Sequence, residues 1–316
     1  MPSDSRPQVL DVAGCAASAV AGCAGKVPAQ WQPPPADSVG PWRLNVVHNV
    51  DCLSAMRQIP TDSVDVVVTS PPYWGQREGP GLGTEADPRE YIDRLATILA
   101  ESLRCLKPSG TLWLNIGDAY NTPINWRGED HVHSSLGPRG GGLPPTNSAY
   151  TKPRGQRRAC IDKRVGWLRY GTLLAIPHRV ILNLCDRGFL FRGEVVWEKS
   201  RPLPEGLCRR PHRRHEGIYI LAKTERHSFR SRPPVPSIWR LTQTPNLTPH
   251  CSTFPLDLPI KCIQAANVPS PGIILDPFMG SGTTARAARL MGHYYLGFEL
   301  NPDYCVVARE YINRPE

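Results

Sequence analysis

The stretch ILDPFMGSGTTARAARLMGHYYLGFEL, Ile274–Leu300, decides the fold. The apolar run Ile273-Ile274-Leu275 ends at Asp276-Pro277-Phe278, and Gly280-Ser281-Gly282 follows at once. The segment TTARAARLMG then reads as a helix, and YYLGFEL as a second strand closing on Glu299, 19 positions after Gly280. Strand, glycine turn, helix and strand in that order form the unit of an adenosine-cofactor site. Its glycines let the backbone approach the ligand, and its acid grips ribose hydroxyls. The spacing alone also satisfies a G-x-G-x-x-A dinucleotide fingerprint, or a tight strand–helix turn that holds nothing.

Working outward, the chain alternates between the periods of strands and helices. WRLNVVHNVD reads as a short strand ending at Asp51, CLSAMRQIP as a brief helix and SVDVVVTS as a buried strand. DPREYIDRLATILAESLRCLKPSG carries apolar residues at helical spacing from Tyr91 to Leu106 and ends in a Pro-Ser-Gly stop. TLWLNIG, EVVWEKS and GIYILAK read as further strands, and LLAIPHRVILNLCDRG and LDLPIKCIQAA as further helices. This pattern predicts an α/β fold, doubly wound around a mostly parallel, Rossmann-like sheet covered on both faces. Residues 1–40 read as a disordered or loosely attached tail, and residues 41–316 as one catalytic domain.

A second short stretch, TSPPYW (Thr69–Trp74), ends the strand that reads as most buried. Prolines stop a ladder because they donate no backbone N–H. The strand therefore presents a hydroxyl, fixed carbonyls and flat rings at its C-terminal edge, where open α/β sheets bind ligands. Ser70 Oγ and the Pro71 carbonyl can accept hydrogen bonds there, Pro72 holds the turn, and Tyr73 and Trp74 are assigned to one pocket at that edge.

Together the two stretches resemble the DNA amino-methyltransferases, which methylate cytosine N4 or adenine N6. TSPPYW resembles their catalytic motif, and DPFMGSGTT resembles their loop for S-adenosylmethionine (SAM), toward which Asp276-Pro277-Phe278 points. NVDCLSAMRQIPTDSVDVVVTSPPYW, LKPSGTLWLNIGDAY, RRPHRRHEGIYILAK and HCSTFPLDLP are similar to other segments of that family, in a consistent order over residues 43–312. The catalytic motif first and the SAM loop last resemble the circularly permuted β subgroup. The resemblance implies Asp51, Phe254, Asp276, Phe278, Gly280, Gly282, Thr283 and Glu299 as cofactor residues and Ser70, Pro71, Pro72 and Tyr73 as catalytic ones. Serine at the first motif position leans to cytosine N4 and aspartate to adenine N6, so cytosine N4 is expected. Adenine N6 is the alternative, and a catalytically silent DNA-binding relative is disfavoured by the intact Ser-Pro-Pro-Tyr. No Pro-Cys dipeptide of the carbon-5 cytosine type occurs.

Composition agrees with a polyanionic partner, since the formal charge is +9 over 316 residues. Residues 152–169 carry seven Lys/Arg against Asp162, inside a patternless basic insertion over about 119–170. Residues 201–232 carry nine Lys/Arg against three Glu, within a candidate target-recognition segment over about 201–248. Arg154, Arg157, Arg158, Arg209, Arg210, Arg213 and Arg214 are the nominated contacts to double-stranded DNA. His215-Glu216 reads as a structural pair, and Trp113 and Trp197 as core.

Ten scattered cysteines with no C-x-x-C pair predict reduced thiols and no metal, despite the loose spacing of Cys208, His212 and His215. No apolar run reaches the length of a membrane span, and VAGCAASAVAGCAG lacks the basic start of a secretory signal. The expected compartment is cytoplasmic, with a separately acting restriction endonuclease as a possible partner.

Overall fold

The computed structural model describes residues 38–76, 81–121, 165–169, 171–200, 210–241 and 254–315. Residues 1–37 of the tail, most of the basic insertion, and Arg154, Arg157, Arg158 and Arg209 lie outside the described residues.

The described chain opens with a small hairpin, β1 (Ser38–Val39) against β2 (Trp42–Arg43), three residues inside the stretch read as tail. Then come β3 (Val46–Asn49), α1 (Cys52–Met56), β4 (Val64–Thr69), α2 (Pro88–Cys105), β5 (Leu106–Ile116) and α3 (Ile176–Asp186). The chain continues through β6 (Leu190–Lys199), β7 (His215–Ala222), β8 (Ile238–Leu241) and α4 (Asp257–Ala266). It closes with β9 (Ile273–Asp276), α5 (Thr283–Leu290), β10 (Tyr294–Glu299) and α6 (Pro302–Asn313). Eight strands form one sheet in the order β3-β10-β9-β4-β5-β7-β6-β8, and among them β7 alone runs against the rest.

Local chemistry sets the helix boundaries. Asp87 caps α2 by accepting the Arg89 N–H at 2.8 Å, and Pro88 takes the first helical position, where its missing donor costs nothing. Asn301 and Pro302 repeat the device at α6. The alternating side chains of β4 then divide the core. Val67 packs with Leu95, Leu99, Ile181 and Leu184 of α2 and α3 on one face. Val66 and Val68 pack with Cys262, Ala285, Ala288 and Ala308 of α4, α5 and α6 on the other. Helices on both faces and a nearly parallel sheet make this a doubly wound, Rossmann-like α/β fold.

Three details depart from the sequence reading. β5 begins at Leu106 and carries Lys107-Pro108-Ser109-Gly110 within it, at a place where the ladder with β4 slips between Val64 and Val66 and no N–H is asked of Pro108. β8 lies inside the proline-rich stretch after 232, where Trp239 and Leu241 alternate inward over only four residues. Trp74 is core: its ring is 2% exposed and its indole N–H donates to the Glu85 carbonyl at 2.8 Å, so it faces away from the pocket to which it was assigned. Trp113 and Trp197 are core as expected. The described part of the 201–248 segment supplies β7 and β8, so it is woven into the sheet.

Candidate active site

β4 and β9 are adjacent and parallel, with Val66 opposite Ile274 and Val67 opposite Leu275. From β4 the chain leaves through α2 toward β5; from β9 it leaves through α5 toward β10 on the other side. Connections that diverge from neighbouring parallel strands open a crevice at their C-terminal ends. TSPPYW and the glycine loop both follow those ends. Motifs some 200 positions apart in sequence therefore meet, and Thr69 Oγ1 donates to Asp276 Oδ1 across the junction at 2.6 Å.

The glycine loop has the backbone its residues suggest. Gly280 (φ 53°) and Gly282 (φ 85°) are left-handed, where a side chain is strained. A Cβ on Gly282 would stand 3.1 Å from Ala308 Cβ and Ile312 Cδ1, so α6 also requires glycine there. Glu299 is 6% exposed at the end of β10, and its Oε2 accepts the Gly280 N–H at 2.9 Å while Oε1 accepts that of Asn301 at 2.8 Å. The carboxylate keeps lone pairs beyond those two bonds. Asp51 arrives beside it because Asn49 pairs with Glu299; it caps α1 by accepting the Ser54 N–H at 2.9 Å. Thr283 begins α5 and is buried, Phe278 lies half-buried against the core, and Phe254 is half-buried on the α4 side. Cys251–Thr253, just before Phe254, lie outside the described residues.

Asp276 lies at the junction of the two motifs. It is 1% exposed and receives the Thr69 hydroxyl and the Phe278 N–H, which makes it a brace between motif and loop. Burial pushes its carboxyl up to about 6, outweighing the Thr69, Thr284 and Phe278 donors that favour the charge. The folded chain thus keeps a proton that the unfolded chain releases near pH 4, and stability falls as pH rises across that window. Asp276→Asn keeps an acceptor and removes the buried charge. Urea denaturation is expected to show a gain of about 1–3 kcal/mol at pH 8 that vanishes at pH 4; an equal change at both pH values would contradict this account.

The pocket beyond β4 is polar at its base. Tyr73 Oη lies 2.9 Å from Glu216 Oε2 and 3.1 Å from Asn115 Oδ1, and Ser70 Oγ is 3.4 Å from the same Asn115 oxygen. Burial first, and the Glu216 charge second, push the Tyr73 phenol well above its ordinary range, so it stays a donor. Gly117 lies against one edge of its ring: a Cβ there would fall 2.6 Å from Tyr73 Cε2. Tyr91 Oη donates to the Pro72 carbonyl at 2.8 Å and fastens the turn from α2. Glu216 is also paired with Lys199.

The sequence reading assigns no role at the site to Asn115, Gly117, Tyr91 or Lys199, and takes Glu216 only as a structural residue. The available signal was a lone amide in the buried run Trp113-Leu114-Asn115-Ile116. Of the nominated DNA contacts, Arg210 and Arg213 stack on Tyr120 with guanidinium carbons 4.0 and 5.5 Å from the ring centre. Arg213 also donates to the Asp118 carbonyl at 2.6 Å, one residue from Gly117, and Arg214 is exposed. Among the described residues no group of three or more His, Cys, Asp or Glu could hold a metal, and no helix is long and apolar enough to cross a membrane.

A hydroxyl-tipped strand end and a glycine loop with its buried acid thus border one crevice. The chain belongs to the N6/N4 methyltransferase family, whose model, described as DNA methylase, matches residues 64–310. It is 33% identical to the type II methyltransferase M.Cfr9I of Citrobacter freundii over 84% of this chain and 85% of that one. It is 32% identical to M.SmaI of Serratia marcescens over 84% of this chain and 89% of that one. In fold it resembles a DNA methyltransferase titled PvuII, cytosine-N4-specific, with a TM-score of 0.61 and 18% identity over 85% of this chain and 88% of that one. It also resembles TTHA0409 of Thermus thermophilus, titled a putative DNA modification methylase and solved with S-adenosyl-L-methionine. There the TM-score is 0.58 and the identity 23%, over 84% of this chain and 92% of that one. The protein is a DNA methyltransferase.

Proposed function

We propose that the protein transfers a methyl group from SAM to N4 of a cytosine flipped out of duplex DNA. The observation that carries this reading is the serine at the head of the motif: Ser70 offers a neutral hydroxyl, next to the Pro71 carbonyl, where an amine would be gripped. When bound, SAM supplies an electrophilic methyl on a sulfonium.

The residues of the chain do the rest by positioning. A cytosine amine is a weak nucleophile because its lone pair is delocalised into the ring. Ser70 Oγ and the Pro71 carbonyl accept its two hydrogens and turn the lone pair out of conjugation toward the donor. Tyr73 stacks on the base, which must leave the duplex because its reacting atom is out of reach there. Gly280, Gly282 and Glu299 would hold the cofactor, with backbone approach at the glycines and remaining lone pairs on the acid for ribose hydroxyls. Arg210, Arg213 and Arg214 face phosphates. A separately acting restriction endonuclease is the partner that fits this reading.

DNA methylated by the protein and digested to nucleosides tests the reading by mass spectrometry. N4-methyldeoxycytidine is expected; N6-methyldeoxyadenosine as the product would replace this function with its sister reaction.

A further inference from the structure

The family reading uses Ser70 and Tyr73 but leaves the ion pair beneath them without a task. We propose that Glu216, held by Lys199, is a positioning residue that sets the direction of the hydrogen bonds in the target pocket, so that Ser70 meets the target amine as an acceptor. The inference rests on Ser70 being the group that grips that amine.

Donors and acceptors fix the arrangement of the pocket floor. Asn115 Nδ2 lies 3.1 Å from the Gly217 carbonyl and 3.4 Å from Glu216 Oε2, two groups that only accept. The Asn115 amide therefore cannot be reversed, and its carbonyl end faces Ser70 and Tyr73. Each of those hydroxyls has one proton. The Tyr73 proton has two candidates, Glu216 Oε2 at 2.9 Å and Asn115 Oδ1 at 3.1 Å, and the charged, nearer oxygen takes the larger share. This leaves Asn115 Oδ1, across a 3.4 Å contact, and the Tyr73 oxygen itself for the Ser70 proton. A serine whose one proton is directed into the protein presents lone pairs to the pocket, and the target amine has hydrogens to give them.

Lys199 completes the device. It holds the other Glu216 oxygen, and both side chains are largely buried, so the carboxylate is fixed and its charge is balanced. Pairing of β6 with β7 sets Trp197 against Glu216 and Glu198 against His215, which brings Lys199 alongside. The platform is fixed as well, because the Tyr73 ring is held by its hydroxyl at one end and by the bare Gly117 against its edge.

A neutral amide at position 216 undoes the arrangement. The side-chain N–H introduced by Glu216→Gln can donate to Tyr73 Oη, turning the Tyr73 proton onto Asn115 Oδ1. Ser70 then shares that oxygen with Tyr73, its 3.4 Å internal bond weakens, and its proton competes with the amine.

The experiment is a double-mutant cycle on methyl transfer to duplex DNA, with Glu216→Gln, Ser70→Ala and the pair. Glu216→Gln is expected to lower kcat about 10- to 100-fold, with KM for DNA and SAM retention within about threefold of wild type. Adding it to Ser70→Ala should produce no further fall, because it acts through that hydroxyl. Multiplicative losses in the double variant, or a change in KM alone, overturn the proposal while leaving Ser70 in place. A Ser70→Ala enzyme of wild-type rate removes the reading beneath it as well. If Glu216→Gln does not fold, Lys199→Met and Lys199→Arg serve in the same cycle. Loss of kcat in the first and recovery in the second are expected, and unchanged kcat in both overturns the proposal.

Discussion

Ser70→Ala is expected to lower kcat for methyl transfer by about 10²- to 10³-fold, the usual cost of deleting one preorganised contact to charge that develops in a transition state. The amine gains positive charge as the methyl arrives, and a lone pair aimed at its hydrogen counts for more then than in the ground state. KM for DNA should therefore change little. The side chain is partly buried and its oxygen bonds within the pocket, to Asn115, so folding should be nearly unaffected. Single-turnover transfer of tritiated methyl groups measures the step directly. A fall in DNA affinity with an unchanged single-turnover rate would show that Ser70 binds without activating.

The second large effect is expected at the other lip of the crevice. Gly282→Val should cost about 2–5 kcal/mol of stability and weaken SAM binding at least about tenfold. Two causes add. The left-handed φ of 85° costs an L side chain about 1–2 kcal/mol, and a β-branched one is the worst suited. The new Cβ would also press on Ala308 and Ile312 at 3.1 Å, tighter than packed carbons accept, and overpacking costs about 1–3 kcal/mol. Relief by moving α5 away from α6 would displace Gly280, whose N–H is held by Glu299. Guanidinium melts and calorimetric titration with SAM separate the two losses. Unchanged SAM affinity in a folded variant would mean that the loop does not approach the cofactor.

Both lips were legible in the sequence because they depend on punctuation. Glycines at 280 and 282 and prolines at 71 and 72 alter the backbone wherever they occur, so their meaning survives without tertiary knowledge. The start of the helix at Asp87-Pro88 was legible for the same reason. The floor of the pocket was not. Asn115 and Glu216 meet because β5 pairs with β7, setting Asn115 opposite Ile218 and Ile116 opposite Gly217, and that register belongs to the sheet as a whole. Lys199 depends likewise on the register of β6 with β7. Gly117 looked like the end of a strand, and only the Tyr73 ring against it gives its lack of a side chain a purpose. Trp74 erred the opposite way: its place next to Tyr73 suggested a pocket aromatic, but successive residues in an extended turn point apart, and its ring went to the core.

One crevice is expected to serve both the target base and the methyl donor. A crystal structure of the protein with SAM or its unreactive amine analogue, at a resolution that fixes side chains, measures this through the distance from Ser70 Oγ to the methyl or its substitute. An amine held by Ser70 and attacking in line requires a separation of about 4–7 Å, the sum of a hydrogen bond and a near-attack contact. A cofactor lying on the glycines but more than about 10 Å from that oxygen, or bound elsewhere, would contradict it.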